Sequence, residues 1–317
     1  MTRARELAEL GSVYDNGALS NRNLLINGAM QVFQRGTSFS AASAAYNADR
    51  WSVDNNGGGG GQSTDAPDGF TYSLKVDPSS GSSVLRQAIE LPAAGEGGVF
   101  RSGQKFTLSF YIKSDNAGEA INIFAASGTN VNATTTAQVN DTSTGLTTAT
   151  SWTRYTYTFT SNNVGGSDTC YNIVPYISSP SGDTYWTGLQ LELGTEATPF
   201  EHRSYSDELQ RCKRYYQRIG DPSNTQRVSD TFGWTTSIIL PAFLWPVEMR
   251  AAPSFSPSDG TGGRIEGNVS ANSTSISSNV LSKQGGTLIV NTSGLTEDNP
   301  YMFSMAATYY LQLDAEF

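Results

Sequence analysis

The chain is 317 residues long, 15% of them charged, with 32 glycines and a formal net charge of −9. An average soluble domain carries about 25% charged residues and exposed helices draw on Glu, Lys, Ala and Leu, so this composition points to sheet and turns rather than helix bundles. The acidic balance excludes a general electrostatic grip on nucleic acid or an anionic membrane, and it leaves a neutral polar partner such as a glycan open.

Residues 2–10 can form a short helix with Thr2 as cap, Leu7 and Leu10 on one side and Gly11 ending it. Alone such a helix is unstable in water, so it needs a partner. Charges run throughout this segment and no apolar h-region follows, so no secretory signal is expected. No apolar run approaches the roughly 20 residues of a membrane span, and a soluble protein is the expectation. Residues 1–21 read as an attachment helix and linker.

From Asn23 to about Phe200 short strands alternate with turn clusters. Phe70, Tyr72, Leu74 and Val76 alternate, then Phe106 to Ile112, Tyr155 to Phe159, Tyr171 to Ile177, and Leu189 to Leu193. Period-two strands separated by Gly, Asn and Pro clusters predict a mainly β fold, an antiparallel jelly-roll sandwich over 22–203. Gly57–Gly61 reads as a flexible surface loop, since no Lys-Ser/Thr or helix follows to make a phosphate site. Trp51 and Trp152 read as strand residues of the core. In simple alternation Trp186 falls on the face opposite Leu189.

Gly194 ends the last strand, and Thr198-Pro199 carries the chain out extended. Ser204 or Ser206 offers an N-cap, Asp207 and Glu208 suit the positive end of the dipole, and Tyr205, Leu209, Cys212 and Tyr216 recur at helical spacing. A connecting helix over 204–220 is therefore expected. Residues 221–317 form a smaller C-terminal β domain. Pro241 marks an edge strand or a bulge, and the final run from Tyr309 reads as a strand reaching Phe317. Cys170 and Cys212 read as two free thiols, since a disulfide framework needs more cysteines at closer spacing.

Blocks spread across the chain also form an ordered set. They are Asn23-Leu24-Leu25-Ile26-Asn27-Gly28, Gln34-Arg35-Gly36, Ala48-Asp49-Arg50-Trp51 and Gln190-Leu191-Glu192, followed by Ala197-Thr198-Pro199-Phe200-Glu201 with Arg203. Glu208-Leu209, Cys212, Arg214-Tyr215-Tyr216, Met249-Arg250-Ala251-Ala252-Pro253 and Asp314-Ala315-Glu316-Phe317 complete it. The set resembles tail fibre and related receptor-binding proteins of tailed bacteriophages. That resemblance implies a homotrimer on the virion, joined to tail or adaptor proteins through the N-terminus and touching a host surface glycan or protein with its C-terminal unit. It would place Arg3, Arg5, Leu7 and Leu10 at the attachment point.

The single histidine, His202, has no Gly-x-Ser-x-Gly elbow to serve, and it reads as a polar residue at a domain corner. No metal-ligand cluster or cofactor motif is present in the sequence. Glycan cleavage asks only for two carboxylates about 5–10 Å apart, and Glu90, Asp168, Asp183, Glu192 and Glu201 are the candidates. The expectation is adhesion without catalysis, with a tail-associated depolymerase or a purely structural fibre piece as alternatives. Aromatic rings stack on sugars, and Trp234, Tyr301 and Trp186 are the expected glycan-binding residues.

Overall fold

The computed structural model describes residues 21–40, 45–55, 58–78, 81–93, 95–134, 136–141, 144–220 and 223–317. The expected helix over 2–10, with Arg3, Arg5, Leu7 and Leu10, lies outside them. Two compact units divide the chain: one runs up to Glu208 and includes Phe317, the other is Leu209–Glu316.

The first unit contains, in order, β1 (Ser38–Ser40), β2 (Ala45–Tyr46), β3 (Ser52–Asp54), β4 (Gly59–Ser63), β5 (Ser73–Asp77), β6 (Ser83–Glu90), β7 (Lys105–Ser114), β8 (Ile121–Gly128), β9 (Thr136–Asp141), β10 (Thr153–Thr160), β11 (Cys170–Ile177) and β12 (Thr184–Leu193). They build two six-stranded antiparallel sheets, β1-β4-β5-β12-β7-β10 and β2-β3-β6-β11-β8-β9. Alternate residues of β7 (Phe106, Leu108, Phe110, Ile112) and of β11 (Tyr171, Ile173, Ile177) share one buried core with Leu85, Ile121 and Ile123. The unit is thus the mainly β sandwich that the alternation predicts.

Three local expectations are corrected. Of the glycine run, Gly57 lies outside the described residues and Gly59–Gly61 belong to a strand, since β4 pairs with both β1 and β5. Its glycines are needed for closeness, since a Cβ on Gly60 would meet the Lys75 carbonyl at 2.2 Å and one on Gly61 the Thr37 carbonyl at 2.2 Å. Trp152 stands just before β10, half-buried, with its indole N–H donated to Asp65 Oδ1 at 2.9 Å. Trp51 is fully buried but precedes β3.

The third correction concerns β12. Its register to β7 shifts between Thr187 and Gln190, with Gly188 at φ +63 in the bulge. One extra residue inverts the alternation, so Trp186 and Leu189 both enter the core. Gln190 and Glu192, which alternate with Leu189, Leu191 and Leu193, are buried as well. The segment 197–201 folds back over them: Gln190 Oε1 accepts the Glu201 N–H at 2.8 Å and Glu192 Oε2 the Thr198 N–H at 3.1 Å.

Helix α1 (Tyr205–Lys213) begins with Ser204 Oγ accepting the Asp207 N–H at 3.2 Å, an N-cap. It is shorter than expected, because Tyr216 already belongs to a strand. The second unit continues with β13 (Tyr216–Ile219), β14 (Gln226–Thr235), β15 (Ile238–Ile239), β16 (Ala242–Leu244), β17 (Ser254–Pro257), β18 (Gly263–Gly267), β19 (Ser270–Asn272), β20 (Ser275–Leu281), β21 (Gly285–Asn291), β22 (Pro300–Met305) and β23 (Leu311–Asp314). β23 lies between β13 and β17 and ends at Asp314, three residues before the last. The larger sheet runs β16-β21-β15-β14-β22-β18-β19, with β20 also on β21. Pro241 breaks one side of β21 into β15 and β16, as a residue without an N–H must. Among the described residues no helix is long and apolar enough to cross a membrane. Cys170 and Cys212 are both buried thiols, not joined to each other.

Candidate functional site

In β11 the alternation that sends Tyr171, Ile173 and Ile177 into the core leaves Asn172, Val174 and Tyr176 on the outer face. Register adds the neighbours: Val174 lies opposite Phe124 of β8, and Tyr176 lies between Val84 of β6 and Asn122 of β8. Val84, Phe124, Asn172, Val174 and Tyr176 floor a groove of about 360 Å³. Ser82, Arg86, Asn132, Thr134 and Ser178 line its walls.

An amide helps to hold one wall in place. Asn172 Nδ2 donates to the carbonyls of Asn130 and Ala133 at 3.0 and 3.2 Å, drawing the turn after β8 across the sheet. Asn130 Oδ1 closes the turn by accepting the N–H groups of Asn132 and Ala133. Val131 packs under it against Ala88 and Cys170. On the other side Arg86 lies 3.5 Å from Asp54. Burial lowers the pKa of its guanidinium, only partly offset by Asp54. Among the described residues lining this groove there is no carboxylate. Half-buried aromatic rings among amides and hydroxyls can stack on an apolar sugar face and hydrogen-bond its rim.

The expected site residues lie elsewhere. Trp186 is 0% exposed, its indole N–H on Thr184 Oγ1 and its ring 5.6 Å from Phe110. Tyr301 is 3% exposed and accepts the Thr296 N–H on its hydroxyl. Neither ring is open to a ligand: the bulge turns the first inward, and the pairing of β14 with β22 seats the second in the core of the second unit. Trp234 is 64% exposed, two residues beyond Phe232 at the irregular end of β14. The sequence signal for the groove was the outward remainder of β11, which carries Val174 and Tyr176 where a solvated face would carry charge.

The other candidates have structural partners. His202 packs on Phe70 and Phe200 at 5.0 and 4.9 Å, and partial burial lowers its pKa. Asp183 pairs with Lys75 at 2.5 Å, and Asp168 Oδ2 accepts the Gly165 N–H. Glu201 accepts the Asn23 N–H, and Glu192 is tied to Thr198. Glu90 lies at the end of β6, opposite Cys170.

No family model and no curated protein matches the sequence. Solved structures similar to the chain include a putative sugar binding protein from Bacteroides thetaiotaomicron VPI-5482, at 13% identity and TM-score 0.36, covering 54% of this chain and all of that one. Another is the enzymatically active domain of bacteriophage CBA120 tailspike protein 4, at 14% identity and TM-score 0.33, covering 55% of this chain and 22% of that one. A third is the CBM22-1 xylan-binding domain of Paenibacillus barcinonensis Xyn10C, at 14% identity and TM-score 0.33, covering 55% and 96%. Similarity at this level leaves the functional argument to the geometry of the groove.

Proposed function

We propose that the chain is an adhesion component of a phage tail fibre, working as a homotrimer, whose sandwich unit holds a saccharide in the groove over β6, β8 and β11. The observation that carries the binding role is the groove itself, with Tyr176 and Phe124 on its floor and amide and hydroxyl groups on its walls. Among the described residues its lining has no acid to protonate a leaving group, which favours holding over cleavage. The ordered sequence blocks support the fibre context. A single sugar contact is weak, and linked copies raise avidity by about 10²–10⁴ when they engage together.

Titration calorimetry of the intact protein against a panel of oligosaccharides, run beside Tyr176→Ala, tests this. Binding that weakens at least tenfold in the variant supports the groove. Equal binding by both proteins moves the site elsewhere, and release of new reducing ends during the titration replaces adhesion with catalysis.

A further inference from the structure

The second unit leaves apolar side chains uncovered on the outer face of its larger sheet. Leu244 is 81% exposed, Phe232 65% and Val280 62%. Their register puts them on one surface. Tyr301 and Phe303 of β22 point inward, so Phe232, opposite Pro300, points out. On β21, Leu288 and Val290 point inward, so Thr287 and its partners Ala242 and Val280 point out, with Leu244 two residues beyond Ala242.

Two shallow depressions of about 480 and 470 Å³ cross this face. Phe232, Leu240, Pro300 and Met302 line the first, Leu244 and Val280 the second, and Ala242 belongs to both, so the surface is continuous. Among the described residues Asp230 is the one charged residue in either lining, and it is paired with Arg227.

We propose that copies of this chain associate through this face. The uncovered side chains present on the order of 500 Å² of apolar area, at the upper end of what a monomer carries. A stable interface buries about 800 Å² per partner, with an apolar centre depleted of charge, so the patch supplies most of one. Exposed Leu244 and Phe232 each line a depression of the same surface, so one patch offers both side chains and hollows to a second copy. A saccharide would leave most of this area unmatched, because apolar surface outweighs that of Thr231, Ser282, Gln284 and Thr287 in the two linings. Neutral lining also keeps the repulsion between chains of net charge −9 away from the contact. The inference deepens the oligomeric part of the proposed function and is independent of the groove.

Sedimentation velocity of the full chain over a wide concentration range, with Leu244→Asp, Phe232→Asp and the control Leu193→Asp on the first unit, decides it. Association by the parent and control, weakened at least tenfold in both face variants with unchanged circular dichroism, is the expected result. Hydrogen exchange of the parent gives a second reading that needs no variant: amides of β16 and β20 lose protection on dilution. A parent that stays monomeric overturns the oligomer and the face together. An oligomer that both variants preserve, with β16 and β20 unprotected throughout, overturns the face alone.

Discussion

Glu208 Oε1 accepts the backbone N–H of Asn27 at 2.7 Å, joining positions 181 residues apart. Around this bond Arg203 donates to the carbonyls of Leu25 and Asn23 at 3.0 and 2.6 Å, and lies 3.3 Å from Glu201 and 3.6 Å from Glu208. Asn27 binds the carbonyls of Val32 and Asp49 through its amide, and its own carbonyl accepts the Trp51 indole N–H. The early sequence blocks and the block after β12 are therefore one network, which clips the first segment of the sandwich to its last strand.

Truncating Arg203 to Ala strands two buried carbonyls and leaves Glu201 and Glu208 without their shared cation. Loss of one partner from a buried charged network costs about 3–5 kcal/mol. Denaturant unfolding of Arg203→Ala should fall by about 3 kcal/mol. Arg203→Lys recovers only part, since one ammonium cannot span both carbonyls in the planar geometry of a guanidinium.

Glu201 gives this network a pH dependence. Burial alone would raise its pKa, but the N–H groups of Asn23 and Asn21, with Arg203 and Arg22, outweigh burial and hold it below 4.5. A carboxyl lowered on folding contributes stability above its unfolded pKa, and loses it as pH falls through the folded value. Unfolding free energy should therefore drop on the acid side of about pH 4.5. Glu201→Gln should be less stable at neutral pH and show a shallower acid limb in paired urea titrations.

How much of this was legible follows from where the information lies. The strands of the core were readable because burial of one face writes itself into the sequence as period two. The bulge at Gly188 was not, because one inserted residue inverts every later side chain while leaving a plausible alternation. That is why simple alternation sets Trp186 on the face opposite Leu189, whereas both enter the core. The glycines of β4 pointed to a loop by propensity, and the carbonyls of Lys75 and Thr37 that require them are distant in sequence. Of the groove only the outward residues of β11 are legible in the sequence, because Phe124, Tyr176 and Arg86 meet through the β6-β11-β8 register.

Gly188 offers a direct check on that bulge. Its φ is +63, and a Cβ there would come within 2.8 Å of both the Phe70 and the Tyr111 rings. Gly188→Ala should cost about 2 kcal/mol, a melting shift of several degrees. Asn tolerates this backbone conformation better than Ala. Equal loss in Gly188→Asn assigns the cost to the collision, whereas recovery assigns it to the backbone.

Asn172→Ala tests what holds the groove wall. Its amide is the link between β11 and the carbonyls of Asn130 and Ala133. Removing it should cost about 1–3 kcal/mol and speed hydrogen exchange across 129–134. If exchange there stays at the parent rate, Val131 packing rather than the amide positions the wall.

Tyr176 and Trp186 separate recognition from architecture most sharply, because both are large aromatics on strands of the same sandwich. Trp186 has no exposed surface, so Trp186→Ala opens a cavity and should cost about 3–5 kcal/mol. Tyr176 is half-buried on the groove floor, and Tyr176→Ala should cost about 1 kcal/mol while weakening saccharide binding at least tenfold. Tyr176→Phe keeps the ring and removes the hydroxyl, so binding near the parent value identifies stacking as the main contribution. Measured together by denaturant midpoint and calorimetry, the two residues should move opposite quantities. A Tyr176 variant that unfolds as readily as the Trp186 one would make the ring a core element and leave the groove without its central contact.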